Sequence, residues 1–180
     1  MNTPKIRFPG FKNSWNNSIL GEIVSHKNDF YKPNKKESLK CIELENLNKN
    51  TGTINGYFDS NTQKSIKNVF VEGDILYGKL RPYLKKYWYA NFNGICSSEI
   101  WVIRSISKKL NSKFLYNFIQ TDSFTKNINL TSGTKMPRAN WNIVKELILH
   151  YPSQPEEQQK IGDFFMLLDK RIEQQEQKIA

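Results

Sequence analysis

The stretch YPSQPEEQQKIGDFFMLLDKRIEQQEQKIA, Tyr151–Ala180, is where the chain changes character. Pro152 and Pro155 interrupt the preceding pattern, and Pro155 suits the first turn of a helix, where its missing N–H costs nothing. Glu156 and Glu157 follow it and complement the positive end of the helix dipole. After Pro155 there is no further proline, and Gly162 is the only glycine. Apolar residues recur at Ile161, Phe165, Leu168, Ile172 and Ile179, a 4-3-4-7 spacing with Gln175 at the skipped step. That is a coiled-coil seam of about two and a half heptads. The break divides the chain into a body over residues 1–152 and, over residues 153–180, the start of a longer connector helix.

Working back from this break, the body is strand-rich. Ile100–Arg104 (IWVIR) is apolar on both alternate faces, Ile100 and Val102 against Trp101 and Ile103, which predicts a strand buried on both sides. Lys40–Leu47, Asn68–Phe70, Asp74–Leu80, Lys86–Ala90 and Leu147–Tyr151 read as further strands. Asn93-Gly94, between Lys86–Ala90 and Ile95–Arg104, predicts a hairpin. Asn111 or Ser112 is placed to cap a helix reaching about Gln120, and Asp122 a shorter one reaching about Leu130. The expected fold class is therefore mixed α+β: a strand-rich domain with short helices, then a long C-terminal coiled-coil-type helix.

The chain has 180 residues, 38% of them hydrophobic and 13% aromatic, enough for one packed domain plus an appendage. Its apolar runs are only four or five residues long, so no membrane span is expected. Cys41 and Cys96 are far apart in sequence and belong to no C-x-x-C pair, a reduced pattern that points to the cytoplasm. The net charge is +10, carried as +12 over residues 1–150 and −2 over residues 151–180. A Lys/Asn/Ile bias of the kind low-GC genomes produce discounts the total. The uneven distribution still predicts that body and tail face different partners.

Two segments carry more than composition. In Gly73–Trp88, GDILYGKLRPYLKKYW, Lys79, Arg81, Lys85 and Lys86 interleave with Tyr77, Tyr83, Tyr87 and Trp88. Cations among aromatics can clamp phosphates and pack on sugars, although an edge strand protected by lysines reads the same way. In Leu130–Trp141, LTSGTKMPRANW, a Ser-Gly-Thr-Lys turn offers backbone N–H groups and a hydroxyl beside Lys135 and Arg138. That suits phosphate, and it equally suits an ordinary polar connection anchored by Trp141. Enzyme chemistry has little to hold: the chain lacks G-x-G-x-x-G, a P-loop, H-E-x-x-H and G-x-S-x-G. Two readings from other classes stay open. One is a small metal-dependent nuclease using Glu43, Glu45 and Asp59 or Asp74. The other is an RNA-binding module with aromatic stacking platforms.

Taken in order, PKIRFPGF, GDILYGKLRPYLKK, GICSSEIWVIR, SGTKMPRANW and the closing YPSQPEEQQKIGDFFMLLDKRIEQQEQKI resemble a Type I restriction–modification specificity subunit. The match is to its N-terminal target-recognition domain and the start of its first conserved helix. Pro155, Glu157, Gln158, Ile161, Leu168, Asp169 and Ile172 are its most characteristic residues. The resemblance implies a non-catalytic reader of one half of a split double-stranded DNA target, so no catalytic residue and no metal ligand is assigned to this chain. It also implies a helix that spaces the halves and docks the methyltransferase subunits. S-adenosylmethionine would sit on those subunits, and ATP and Mg²⁺ chemistry on the partners that include the restriction translocase. Lys79, Arg81, Tyr83, Lys85, Lys86, Thr134, Lys135 and Arg138 become the DNA-facing candidates, with phosphate contact expected over base readout. Arg81 and Arg138 carry the fork that suits guanine. A family subunit has two such domains and two conserved helices packed antiparallel. The seam Ile161, Phe165, Leu168, Ile172 and Ile179 is thus expected to pair with a second copy as a homodimer, or else to fold back on the body.

Overall fold

The strand Ile100–Ser105 lies at the centre of the molecule, and its first four residues, Ile100, Trp101, Val102 and Ile103, are each at most 6% exposed. The computed structural model describes residues 4–26, 29–34, 36–130 and 135–179. In chain order the elements are β1 (Trp15–Ile19), α1 (Leu20–Ile23), β2 (Val24–Ser25), β3 (Phe30–Tyr31), β4 (Lys40–Ile42) and β5 (Phe58–Asp59). There follow β6 (Lys67–Phe70), β7 (Ile75–Gly78), β8 (Tyr87–Tyr89), β9 (Gly94–Cys96) and β10 (Ile100–Ser105). Then come α2 (Ser112–Phe118), α3 (Asp122–Ile128), α4 (Trp141–Val144), β11 (Ile148–Pro152) and α5 (Pro155–Ile179).

Strands β2-β10-β7-β8 form an antiparallel sheet that is the middle layer. Strand alternation sends Ile75, Tyr77, Tyr87, Trp101 and Ile103 to one face, where they meet Phe114, Leu115 and Phe124 of α2 and α3. Leu76, Trp88, Ile100 and Val102 go to the other face and meet Ile42, Phe70 and Cys96. Those residues belong to the second sheet, β3-β6-β9-β4-β5, in which only the β4–β9 pair is parallel. The double-sided burial expected of IWVIR thus has its cause: helices on one side, a sheet on the other. No helix among the described residues is long and apolar enough to cross a membrane.

Several local expectations change. The strand beginning at Lys40 stops at Ile42, because Asn46 closes a turn. Its side-chain Oδ1 accepts from the Glu43 N–H at 2.8 Å, and its own N–H donates to the Glu43 carbonyl at 3.0 Å. Asn93-Gly94 makes no hairpin, since β8 and β9 lie in different sheets. Glycine stands there for space: a Cβ at Gly94 would sit 2.5 Å from the Lys40 carbonyl oxygen and 2.8 Å from the Phe70 ring. The expected strand Ile95–Arg104 is two strands, β9 and β10, one in each sheet. Asn111 caps α2 as expected, its Oδ1 accepting from the Lys113 and Phe114 N–H groups. At α3 the capping oxygen is that of Thr121, and Asp122 is the first helical residue. Strand β1 has no signature in WNNSI; it forms because β11 pairs with it along its whole length.

Helix α5 begins inside the body. Glu157 is fully buried and takes both Nε and Nη2 of Arg7, at 2.5 and 2.7 Å. The Gln158 amide donates to the Lys109 and Pro152 carbonyls and accepts from the Asn111 N–H, each at 2.8 Å. Gly162 lets α5 cross close to α2, where a Cβ would meet Lys113 Cβ at 2.7 Å. Phe8 stacks edge-on against Phe164, with Lys160 over the Phe8 ring at 5.0 Å. The body-facing side of the helix is therefore the 157/158/162 side. Of the expected seam, Ile161 packs on the core, whereas Phe165, Leu168 and Ile172 are 38–57% exposed. The Ile179 side chain lies outside the described residues.

Candidate nucleic-acid interface

The first basic segment turns where β7 ends. The Lys79 N–H donates to the Glu99 carbonyl at 2.9 Å, tying the segment to the start of β10. The Lys79 carbonyl then accepts from the Ala139 N–H, and the Arg81 N–H donates to the Pro137 carbonyl, each at 2.8 Å. Leu80 and Arg138 face each other across an antiparallel bridge. The two segments singled out in the sequence are therefore joined into a short ribbon by one antiparallel bridge, between residues 58 apart, and the two hydrogen bonds that flank it.

Beyond the ribbon the backbone is forced. Arg81 and Lys85 both adopt the left-handed conformation, with φ of 52° and 46°, and they flank the 3₁₀ turn Pro82–Leu84. A non-glycine residue held there costs on the order of 1–3 kcal/mol, so the surroundings must over-determine it. They do: Leu84 N–H donates to the Arg81 carbonyl, Lys85 N–H to the Pro82 carbonyl, and Asn50 N–H to the Lys85 carbonyl. Pro82 is buried beneath the turn, while Arg81 stays exposed and Tyr83 is 55% exposed. The turn is built to hold charged and aromatic side chains out on a rigid knuckle.

The structure thus brings Lys79, Arg81, Tyr83, Lys85, Lys135 and Arg138 onto one connected element. Lys135 and Arg138 are exposed, and Lys79 and Lys85 half-buried. Lys86 is placed differently, with its ammonium donating to the Leu44 carbonyl. Burial lowers its pKa, and the neighbouring Lys49 charge pushes the same way. Thr134 lies outside the described residues. One residue of the site had no signal in the sequence: Glu99, whose Oε2 accepts from Arg138 Nε at 3.0 Å.

The acids considered for a nuclease are dispersed. Glu43 pairs with the buried Lys67, and Asp74 is held by a two-pronged contact from Arg104 at 2.6 Å and by the Val71 N–H. Asp59 caps a 3₁₀ turn, and its hydrogen bond from Ser38 holds its carboxyl below the usual range. Among the described residues no three metal-ligating side chains gather.

Fold and site together define a strand-rich α+β domain that presents a basic ribbon and carries a 25-residue C-terminal helix. The family model of the Type I restriction modification DNA specificity domain matches residues 7–180, and the chain belongs to that family. It is 28% identical over 152 residues to the Type I restriction enzyme EcoDI specificity subunit of Escherichia coli, covering 83% of this chain and 34% of that one. The HsdS subunit of Thermoanaerobacter tengcongensis superposes with a TM-score of 0.76 at 22% identity, over 98% of this chain and 46% of that one. A chain from a study of complex assembly and conformational transition of the type I R-M system gives 0.75 at 21% identity, with the same coverage. The chain spans about a third of the curated relative it matches and just under half of each solved chain.

Proposed function

We propose that this chain is a specificity subunit, or half of one, that reads one half of a bipartite double-stranded DNA target. It has no catalytic role of its own, and works in the cytoplasm. The observation that carries this reading is the short ribbon, whose backbone bridge and hydrogen bonds bring six cationic or aromatic candidates onto one connected element. Family membership supplies the context. Methyltransferase subunits with S-adenosylmethionine, and a restriction translocase with ATP and Mg²⁺, act where the bound chain directs them. Helix α5 is the spacer and docking element. Its exposed Phe165, Leu168 and Ile172 pack on the same helix of a second copy, antiparallel about a two-fold axis, since an isologous contact covers both stripes at once. Burying each such side chain is worth roughly 1.5–3 kcal/mol.

Binding of the purified chain to a 30-bp duplex and to its separated strands tests the first part. Duplex preference supports the reading; preference for single strands or RNA favours an RNA-binding module, and methylation or Mg²⁺-dependent cutting by the chain alone contradicts it. Light scattering across a concentration series tests the second. A mass that rises with concentration, and that Leu168→Asp and Ile172→Asp hold at the monomer, is the expected result. A monomer at every concentration would remove the self-association.

A further inference from the structure

Glu99 is an acid set against the basic ribbon, and the structure gives it two attachments there. Its backbone carbonyl accepts from the Lys79 N–H at 2.9 Å, and its carboxylate accepts from Arg138 Nε at 3.0 Å. Its side chain is 31% exposed and that of Arg138 55%, so the pair is wet and contributes little to stability. A carboxylate next to a phosphate-binding surface repels the ligand. Its presence therefore calls for a role in recognition.

The geometry of the contact supplies one. Among the described residues only Nε of the guanidinium is engaged, and the two terminal Nη groups have no partner there. Those terminal groups form the end-on fork that pairs with guanine O6 and N7. A guanidinium without a partner on Nε is a mobile cation that follows the nearest phosphate. One paired through Nε, on a residue whose backbone is bridged to Leu80, is biased toward one orientation. Resting on the DNA-recognition reading above, we infer that Glu99 is a positioning residue. It fixes the Arg138 fork for base readout and keeps it off the phosphates, exchanging affinity for discrimination.

Selection from a random-sequence duplex pool tests this with the full chain and the variants Glu99→Gln, Arg138→Ala, Arg138→Lys and the Glu99→Gln/Arg138→Ala double. Wild type should enrich a motif. Arg138→Ala and Arg138→Lys should each lose preference at one base pair by at least about fivefold, because lysine keeps the charge without the fork. Glu99→Gln should lose preference at that same position. It should also bind the unselected pool more tightly, with a log–log salt slope steeper by ~0.9 as the released Arg138 takes a phosphate. In the Arg138→Ala background, Glu99→Gln should change nothing further at that position. Unaltered circular dichroism and melting of Glu99→Gln exclude a folding defect as the cause. Glu99→Gln with wild-type preference and slope would overturn the inference, and so would an effect of Glu99→Gln that persists without Arg138. If wild type enriches no motif, the recognition reading falls, and the role of Glu99 falls with it. If wild type enriches a motif and Glu99→Gln is indistinguishable from it, only the role of Glu99 falls.

Discussion

Removing the exposed cations of the ribbon one at a time gives a prediction whose size follows from the structure. Arg81, Lys135 and Arg138 are exposed and sit on a backbone held by the Arg81–Pro137 and Lys79–Ala139 hydrogen bonds. Their side chains can be truncated without loss of the platform. Each phosphate neutralised adds ~0.9 to the slope of log affinity against log salt. A fourfold rise in salt, from about 50 to 200 mM, then weakens binding roughly 3.5-fold per contact, or about 12-fold for two. Arg81→Ala and Lys135→Ala should each flatten the slope by up to ~0.9, and the double variant by up to ~1.8, whereas Arg138→Ala, whose fork Glu99 keeps off the phosphates, should leave it near wild type. Lys86→Ala is the internal contrast, since its ammonium is already given to the Leu44 carbonyl, and it should leave the slope near wild type. Fluorescence anisotropy of a labelled duplex at five salt concentrations measures all of these. Slopes unchanged in both Arg81→Ala and Lys135→Ala would take the ribbon out of the interface.

Other predictions concern the scaffold. Gly94→Ala places a methyl 2.5 Å from a backbone oxygen between β4 and β9. Overpacking of that kind costs about 1–3 kcal/mol, so the melting temperature should fall by several degrees, and an unchanged or raised value refutes the spacing argument. Asp169 on α5 has its pKa raised by burial, so its ionisation opposes folding. That opposition is absent below the unfolded carboxyl pKa of about 3.9 and grows as pH rises through the folded value. Asp169→Asn should therefore melt higher than wild type at pH 7, the gain shrinking toward pH 4; equal melting at pH 7 contradicts it. Burial, with help from Glu43, pushes the Cys41 thiol up to about 12, and Cys96 is buried as well. Both should resist iodoacetamide in the native protein and react after unfolding, and fast native labelling would refute that burial.

How far the sequence carried depended on where the deciding partner lies. The double-faced burial of β10, the Asn111 cap and the helix beginning at Pro155 are written in a few adjacent residues, and all three could be read. The hairpin expected at Asn93-Gly94 failed because the constraint on Gly94 comes from Lys40 and Phe70, both remote in sequence. Strand β1 was invisible because its pairing lies with β11, more than 130 residues on. The two basic segments were legible one by one as composition, whereas the ribbon that joins Leu80 to Arg138 is a tertiary fact. Glu99 gave no signal for the same reason, since an acid in SSEIW says nothing about a guanidinium 39 positions away.

The property on which all of these expectations depend is that this chain directs modification to a split DNA sequence. Methylome sequencing of the source cell, with the gene intact and deleted, tests that most directly. A bipartite methylated motif, two short half-sites separated by a fixed gap, should be present with the gene intact and disappear on deletion. It should return with the wild-type gene and return weakened with the Arg81→Ala/Lys135→Ala/Arg138→Ala variant. A methylation pattern that deletion leaves unchanged would contradict the account.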